Sequence, residues 1–482
     1  MARQITPLSI VLLLYGLTAT AYAWLNPVFE APDEPFHVGY VNRLLQDRHW
    51  PQASDAYTMT TFLAEQVHQP QVSRVLNAGQ GEIWFEWVHP PLYYLVQVIP
   101  LGLLYPKGFQ GVLVPAWPDA PNRRERGYFI HDPAEIWRWH RPLVAIRLMR
   151  MTSILLGIVT IWIAASIAAL VAPRASAFPL LAAGLLAFIP QFTFMTSSVN
   201  NDAAGYLTGA VGLWVLIRVG EGTWRPVRAG LFIGLCLGAA FLSKATTNFL
   251  WLLTPVAAGM AYSRWIDRLQ CVSVAWTVGL LCAAPFLHSL GPAYWDALGF
   301  LASGRSNFAT SVAPSTFLGQ PPGVDLSYVV RVLTTMFESF WGQFGWEQVR
   351  LDRPILGCYA ALSGLALLGW CRGRQGHKEG VLNRRALALL GAGLALFLCC
   401  AAVIYRRIFI AQGGRYLLAV GPAIVTLLAV GLLRAQPLIA RALCRPVSEQ
   451  ALVRGVLTLM VILNWVVLWS LRHSYLVAWQ NG

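Results

Sequence analysis

Apolar runs separated by short polar connections account for most of the chain. Eleven of them are long enough, or nearly so, to cross a hydrocarbon layer of about 30 Å as helices. In order they are Ile5–Trp24, Leu143–Val171, Ala177–Met195, Ala203–Val219, Val227–Ser243 and Thr246–Tyr262. Cys271–Leu287, Pro354–Cys371, Ala386–Tyr405, Tyr416–Leu433 and Ala451–Leu471 follow. A twelfth stretch, Pro91–Tyr105, is apolar but only 15 residues long, short of the roughly 17 that a spanning helix needs. The pattern predicts an all-α, polytopic transmembrane bundle of about 11 spans, because only internally hydrogen-bonded helices satisfy the backbone in lipid. No internal repeat is visible.

Loop charge orients the bundle. One set of connections carries Arg174; Arg218, Arg225 and Arg228; Arg264 and Arg268; Arg372, Arg374, Lys378, Arg384 and Arg385; and Arg434, Arg441, Arg445 and Arg454. The alternate short connections keep Lys244, Arg406, Arg407 and Arg415. Cytoplasmic loops are the ones rich in Lys and Arg, which places the N-terminus inside and the C-terminus outside. A spanning Pro91–Tyr105 would invert every later loop against that rule. This stretch is therefore expected to lie along, or dip into, the outer interface. Two large loops then face outward, 25–142 and 288–353, and the first holds more than half of the 22 acidic residues. No low-complexity linker sets them apart. Residues 1–482 read as one integral domain: a core 1–287 that includes loop 25–142, the second outer loop 288–353, and the C-terminal spans 354–482.

Composition removes other classes. The chain is 56% hydrophobic and 12% charged, about half the charged fraction of a soluble domain, with a mean hydropathy of +0.53. The net charge of +14 does not indicate nucleic acid, because the basic residues sit in short loops between spans and suit anionic membrane lipids. Twenty tryptophans fit two interfacial belts. The eight cysteines lie in or beside apolar runs, so no disulfide framework or cysteine zinc site is readable. The first apolar run lacks a small-residue cleavage site and is expected to remain as a span.

The polar residues near the spans carry the chemistry. Ala31-Pro32-Asp33-Glu34-Pro35-Phe36-His37 follows the first span, with Pro35 suited to a first helical turn and Phe36, Tyr40, Val41, Leu44 and Leu45 on one helix face. The plain reading of Asp33 and Glu34 is helix capping. Every other costly polar group falls on the same side. These are His89 before Pro90-Pro91, Arg147 near the outer end of the second span, Ser197 through Asp202, Lys244, and Gln412-Gly413-Gly414-Arg415-Tyr416. Asp202 could cap a span, and Lys244 and Arg415 could snorkel to headgroups. His37 and His89 with Asp33 or Glu34 could bind a divalent ion if the fold brings them together. Ionisable groups near hydrocarbon need partners or water, and their convergence on one leaflet is what a site at the outer surface requires. An aromatic and glycine-rich segment, Ser339 through Trp346, lies in the second outer loop.

Four stretches carry a resemblance: Pro32 through His37, Pro190-Gln191-Phe192 through Asn200-Asn201-Asp202, Ser339 through Trp346, and Gly414-Arg415-Tyr416. Together with the first-loop acids and the His89-Pro90-Pro91-Leu92 segment, they resemble the GT-C fold of membrane glycosyltransferases. That superfamily includes protein O-mannosyltransferases and lipid A aminoarabinose transferases. They resemble more closely a bacterial family of polytopic membrane proteins within it. The resemblance implies sugar transfer from a polyprenyl-phosphate sugar to an envelope glycan, lipid or protein acceptor, at the outer face of the bacterial inner membrane. It implies that Asp33, with Glu34 beside it, serves as general base or helps to hold a divalent metal, and that Asp202 is the second acidic site residue. This chain has His89 where the aminoarabinose transferases have lysine, so Lys244, Arg147 and Arg415 are the candidate phosphate contacts. His37, His89, Tyr416 and Trp341 complete the expected substrate-binding set.

Residue chemistry agrees with this reading. Transfer with inversion needs a carboxylate to take the acceptor's proton and cationic donors to stabilise the departing phosphate. No glycine loop of either nucleotide-binding pattern is present, so no nucleotide cofactor is expected. A transporter or flippase for lipid-linked saccharides would instead carry ionisable residues at mid-membrane or matched broken helices, and neither is visible. A polymerase or ligase of lipid-linked glycans shares the donor chemistry and stays open at this stage. A noncatalytic scaffold would leave the paired carboxylates unexplained.

Overall fold

The computed structural model describes residues 6–49, 89–109, 139, 141–173, 177–303, 324–346, 349–372, 382–406 and 412–480. Much of loops 25–142 and 288–353, including acidic residues such as Glu65 and Asp119, lies outside the described residues. In chain order the helices are α1 (Pro7–Leu25), α2 (Glu34–Asp47), α3 (Leu92–Leu104), α4 (Arg141–Val171), α5 (Phe178–Ala187), α6 (Pro190–Thr196), α7 (Asp202–Gly220), α8 (Pro226–Phe241), α9 (Phe249–Ala261) and α10 (Trp265–Ser303). Then come α11 (Leu326–Trp341), α12 (Arg353–Arg372), α13 (Arg384–Tyr405), α14 (Gly421–Arg434), α15 (Gln436–Ala442) and α16 (Glu449–Gln480). A 3-10 helix, Gly413–Val420, leads into α14. A two-residue antiparallel pair, Gln343–Phe344 with Val349–Arg350, follows α11.

Each apolar run of the sequence becomes helix. Among the described residues eight helices are long and apolar enough to cross a membrane, or nine with the bent pair α5–α6 counted as one span. The other two expected spans are α8 and α9, of 16 and 13 residues. The run expected over Ala177–Met195 is thus broken rather than continuous, with a bend of 64° between α5 and α6. Pro190 is the cause: it has no N–H to continue the α5 ladder, and it opens α6 from the first turn, where none is needed. The Thr193 hydroxyl donates to the Ala187 and Ile189 carbonyls at 3.1 and 3.2 Å, which satisfies backbone groups that the break exposes. The bend carries Ser197–Asn201 back towards the end of α1.

α3 is the ambiguous fifteen-residue stretch. It runs antiparallel to α4, with Tyr93 hydrogen-bonded to Ser153 at 2.9 Å and Gln97 to the Met149 carbonyl at 3.1 Å. Its last carbonyl, Leu104, accepts from Arg141. The end of α1 meets α4 at Arg150, through the Ala23 and Asn26 carbonyls. α3 therefore starts one turn below the end of α1 and rises past it along the projecting start of α4. It does not descend beside α1, which agrees with the non-spanning reading.

Small residues let the spans close up. A Cβ on Gly230 or Gly234 of α8 would lie 2.7 Å from the Cys271 or Ala275 carbonyl of α10, so any side chain there would part the two helices. A Cβ on Gly391 of α13, by contrast, would meet open space.

The orientation is checked by labelling. After replacement of the eight native cysteines, a cysteine at Ser448 should react with an impermeant reagent only from the cytoplasmic side. One at Ser327 should react only from the opposite side. Labelling of both from one side would overturn the arrangement.

Candidate active site

Asp33 and Glu34 are adjacent in sequence and opposite in circumstance. Glu34 is fully buried and forms a bidentate pair with Arg150 of α4, Nε to Oε1 at 2.8 Å and Nη2 to Oε2 at 2.6 Å. The backbone N–H groups of Phe29 and Val199 donate to its two oxygens, both at 2.9 Å. Arg150 spends its other N–H groups on the carbonyls of Ala23, Asn26 and Pro27 at 2.7, 2.8 and 3.0 Å. Five donors and four acceptor positions are thus all matched. Glu34 was expected beside Asp33 as a catalytic or metal-holding carboxylate. This geometry leaves it no free lone pair for a proton or a metal, and makes it the anchor of the turn instead.

Asp33 is not the helix cap that the plain reading proposes. It stands at the N-cap of α2 with φ +65°, and its carboxylate makes no capping bond. Its backbone carbonyl accepts from Phe36 and His37 at 3.0 Å each. The left-handed conformation is costly for a residue with a Cβ, and it is held by the Glu34 anchor one residue on. The side chain keeps 30% exposure, and Arg415 Nη2 donates to its Oδ2 at 3.1 Å.

Arg415 sits in the 3-10 helix that enters α14 and joins both halves of the cluster. Its Nη1 donates to Gln412 Oε1 at 3.0 Å and its Nη2 also reaches the Tyr416 hydroxyl at 3.1 Å. Its Nε lies 3.6 Å from Asp202 Oδ2. Asp202, fully buried at the first turn of α7, faces Lys244 Nζ at 2.7 Å. Lys244 also donates to Asn201 Oδ1 at 2.6 Å. Neither cation snorkels to headgroups; both turn inward, with the Tyr416 ring 5.4 Å from Lys244 Nζ and 5.0 Å from Arg415 Cζ. The approach of the backbone is tight. A Cβ on Gly414 would lie 2.0 Å from the Met336 carbonyl of α11, and the Gly414 N–H donates to Ser339 Oγ at 2.8 Å.

A histidine pair flanks the cluster. His37 Nδ1 and His89 Nδ1 both meet the Tyr94 hydroxyl, at 2.8 and 3.3 Å, and the two rings stack 6.0 Å apart. One hydroxyl can donate to only one of them, so one ring presents a lone pair there and the other an N–H. Burial, then the neighbouring His89, Lys244 and Arg415, hold His37 well below its ordinary value. Burial, then Lys244 and Arg415, push His89 down to about 3. Both rings are neutral at pH 7.

The remaining expected residues lie elsewhere. Arg147 stacks over Trp24 and Trp139, at 4.6 and 5.5 Å, at the seam of α1 and α4. Trp341 is a core residue, 1% exposed and stacked on Tyr359 at 4.4 Å, so its indole cannot face a substrate. The same segment serves the site through its backbone and through Trp346. Gln412 Nε2 donates to the Gly345 carbonyl at 3.1 Å and Trp346 Nε1 to the Phe29 carbonyl at 3.0 Å. Sequence reasoning passed over Arg150. Its signal was a guanidinium one turn deeper in an apolar run than Arg147, where the cost of desolvation demands a carboxylate.

A divalent metal does not fit these residues. Among the described residues no three His, Cys, Asp or Glu side chains come together as a metal centre would need. Asp33 and Asp202 already face Arg415 and Lys244, and the oxygens of Glu34 are filled.

Residues 144–288, from α4 into α10, match the model of the dolichyl-phosphate-mannose-protein mannosyltransferase family. Among solved structures, the chain is similar to ArnT from Cupriavidus metallidurans bound to undecaprenyl phosphate, at 13% identity and a TM-score of 0.49, over 98% of this chain and 76% of that one. It is similar to the Archaeoglobus fulgidus oligosaccharyltransferase in its apo form, at 12% identity and a TM-score of 0.49. There it covers 98% of this chain and 56% of that one, so it spans little more than half of that enzyme's length. No curated protein sequence matches the chain.

Arg150 is expected to be the costliest single side chain to lose here. Arg150→Met strands the Glu34 carboxylate in the core, and the loss should be about 3–5 kcal/mol, read as thermal or denaturant unfolding in detergent. Glu34→Gln combined with Arg150→Met should recover part of it, because the unpaired charge is gone.

Proposed function

We propose that this protein is a membrane glycosyltransferase that moves a sugar from a polyprenyl-phosphate donor to an envelope acceptor at the outer face of a bacterial plasma membrane. The observation that carries the reading is the juxtaposition of Asp33–Arg415 and Asp202–Lys244 in one cluster, in which Asp33 alone of the buried-side carboxylates stays accessible. The family match over 144–288 supports it, since that segment supplies Asp202 and Lys244.

Each residue takes a role from its surroundings. Asp33 accepts the proton of the acceptor hydroxyl as that oxygen attacks the anomeric carbon. The bond between that carbon and the phosphate oxygen breaks, and the electron pair leaves with the polyprenyl phosphate. Arg415 and Lys244 stabilise the charge that develops there, Arg415 with a fork suited to two phosphate oxygens. Asp202 acts through the cations: buried and paired, it holds Lys244 and Arg415 on one side of the site. One accessible carboxylate in the cluster, among the described residues, suits direct displacement with inversion, since a double displacement needs a second free carboxylate. The neutral His37–Tyr94–His89 group offers hydrogen bonds without adding charge, which suits contact with the sugar or the acceptor.

Turnover with polyprenyl-phosphate sugars in detergent tests the reading. Asp33→Asn should retain the fold, because asparagine tolerates the left-handed conformation, and should lower turnover by about 10²–10⁴-fold. Arg415→Ala should weaken donor binding by about 1.5–3 kcal/mol, and Arg415→Lys should recover only part, because an ammonium cannot reproduce the fork. Near-normal turnover by Asp33→Asn would remove Asp33 as the base.

A further inference from the structure

We infer that Asn201 is a further substrate-contacting residue, whose side-chain NH2 donates to an oxygen of the donor's headgroup; this rests on the glycosyltransferase reading above. Asn201 closes the connection between α6 and α7, one residue before Asp202, and is fully buried. Its Oδ1 accepts from Lys244 Nζ at 2.6 Å, and that contact fixes the orientation of the amide. An ammonium has no acceptor, so turning the amide over would set NH2 against NH3⁺. The NH2 group therefore points away from Lys244, and it has no hydrogen-bond partner. It does not cap α7 either, for Asn201 is the N-cap residue and makes no side-chain capping bond.

Its surroundings carry further unsatisfied polar atoms: Asp202 Oδ1 and Oδ2, held in ion pairs with Lys244 and Arg415, have no hydrogen-bond partner either. Arg415 Nε, also buried, lacks a hydrogen-bond partner and stands 3.6 Å from Asp202 Oδ2. Lys244 pairs with Asp202 Oδ1 and Arg415 Nε faces Oδ2, while Asn201, the preceding residue, accepts the other contact of Lys244. A buried donor without a partner is destabilising, and buried polar groups are paired in the great majority of cases. Two such donors, on Asn201 and Arg415, whose neighbours Lys244 and Asp202 already face each other, mark a position where a ligand oxygen completes the set. The chemistry is that of a hydrogen-bond acceptor oxygen on a sugar phosphate, which is either a phosphate oxygen or a sugar hydroxyl.

Binding of two probes separates these cases and tests the assignment: undecaprenyl phosphate, and its mannosyl ester. Asn201→Leu should weaken at least one of them by about 5- to 30-fold. Loss with both probes assigns the phosphate, and loss with the mannosyl ester alone assigns the sugar. A role confined to placing Lys244 is separated by a double-mutant cycle. If Asn201 touches the ligand, Asn201→Leu still costs affinity in a Lys244→Met background; if it acts only through Lys244, it costs nothing there and the inference fails. Unchanged binding of both probes by Asn201→Leu also overturns it. Melting temperatures are followed throughout, and Asn201→Ser takes the place of the leucine variant if that variant is not recovered folded. Failure of the wild type to bind either probe would count against the donor assignment itself, a separate result from wild-type binding that Asn201→Leu leaves intact.

Discussion

The Glu34–Arg150 pair is the contact on which the site's geometry depends. A buried ion pair gives little net stability, because desolvation of both charges offsets their attraction. What it supplies here is position. Arg150 collects three carbonyls from the end of α1, Glu34 collects N–H groups from Phe29 and Val199, and the pair joins them to α4. Three chain segments distant in sequence are fixed to one another by seven hydrogen bonds. Two residues of that turn, Phe29 and Asp33, have left-handed backbone angles of +73° and +65°, each costing about 1–2 kcal/mol. Such strain persists where the surroundings over-determine it. Asp33 faces Arg415 because the residue after it cannot move.

The second constraint is electrical balance. Asp33, Asp202, Lys244 and Arg415 form a set of two anions and two cations at one end of the bundle. Removal of any one leaves an uncompensated charge in a region of low dielectric, where isolated charges are expensive. The balance also bears on reactivity. The guanidinium proposed to receive a donor phosphate is the one that now holds Asp33, so a phosphate would compete for the same N–H groups.

Much of this was legible in the sequence, for a physical reason. Asp33, Asp202, Lys244 and Arg415 stood out because charges beside long apolar runs are costly, and the loop-charge rule put all four at one end. The structure brings those four together. Arg150 was missed because Arg147, a turn nearer the loop, satisfied the same expectation, and sequence spacing does not say which of two arginines faces inward. In the structure Arg147 goes to tryptophan rings and Arg150 to Glu34. Trp341 drew attention for its aromatic neighbours, yet such a cluster at helical spacing serves the core as readily as a ligand. The break at Pro190 was visible as a residue but not as a bend, since proline in a membrane helix is often absorbed without one.

The second outer loop shows how a distant segment reaches the site without contributing a charge to it. α11 packs on the 3-10 helix of Arg415 through Ser339 and the backbone around Met336, a contact open only to glycine at position 414. The chain then places the Gly345 carbonyl against Gln412 and the Trp346 indole against Phe29. Gln412 holds Arg415, and Phe29 holds Glu34. One short stretch thus touches the supports of both charged pairs, the guanidinium from one side and the strained turn from the other. Its aromatic rings fill the core while its polar backbone groups set the separation between Arg415 and Asp33. That division explains why tryptophan and glycine occur side by side there: the Trp346 ring anchors the segment, and Gly345 takes the left-handed φ of +60° that a side chain would resist.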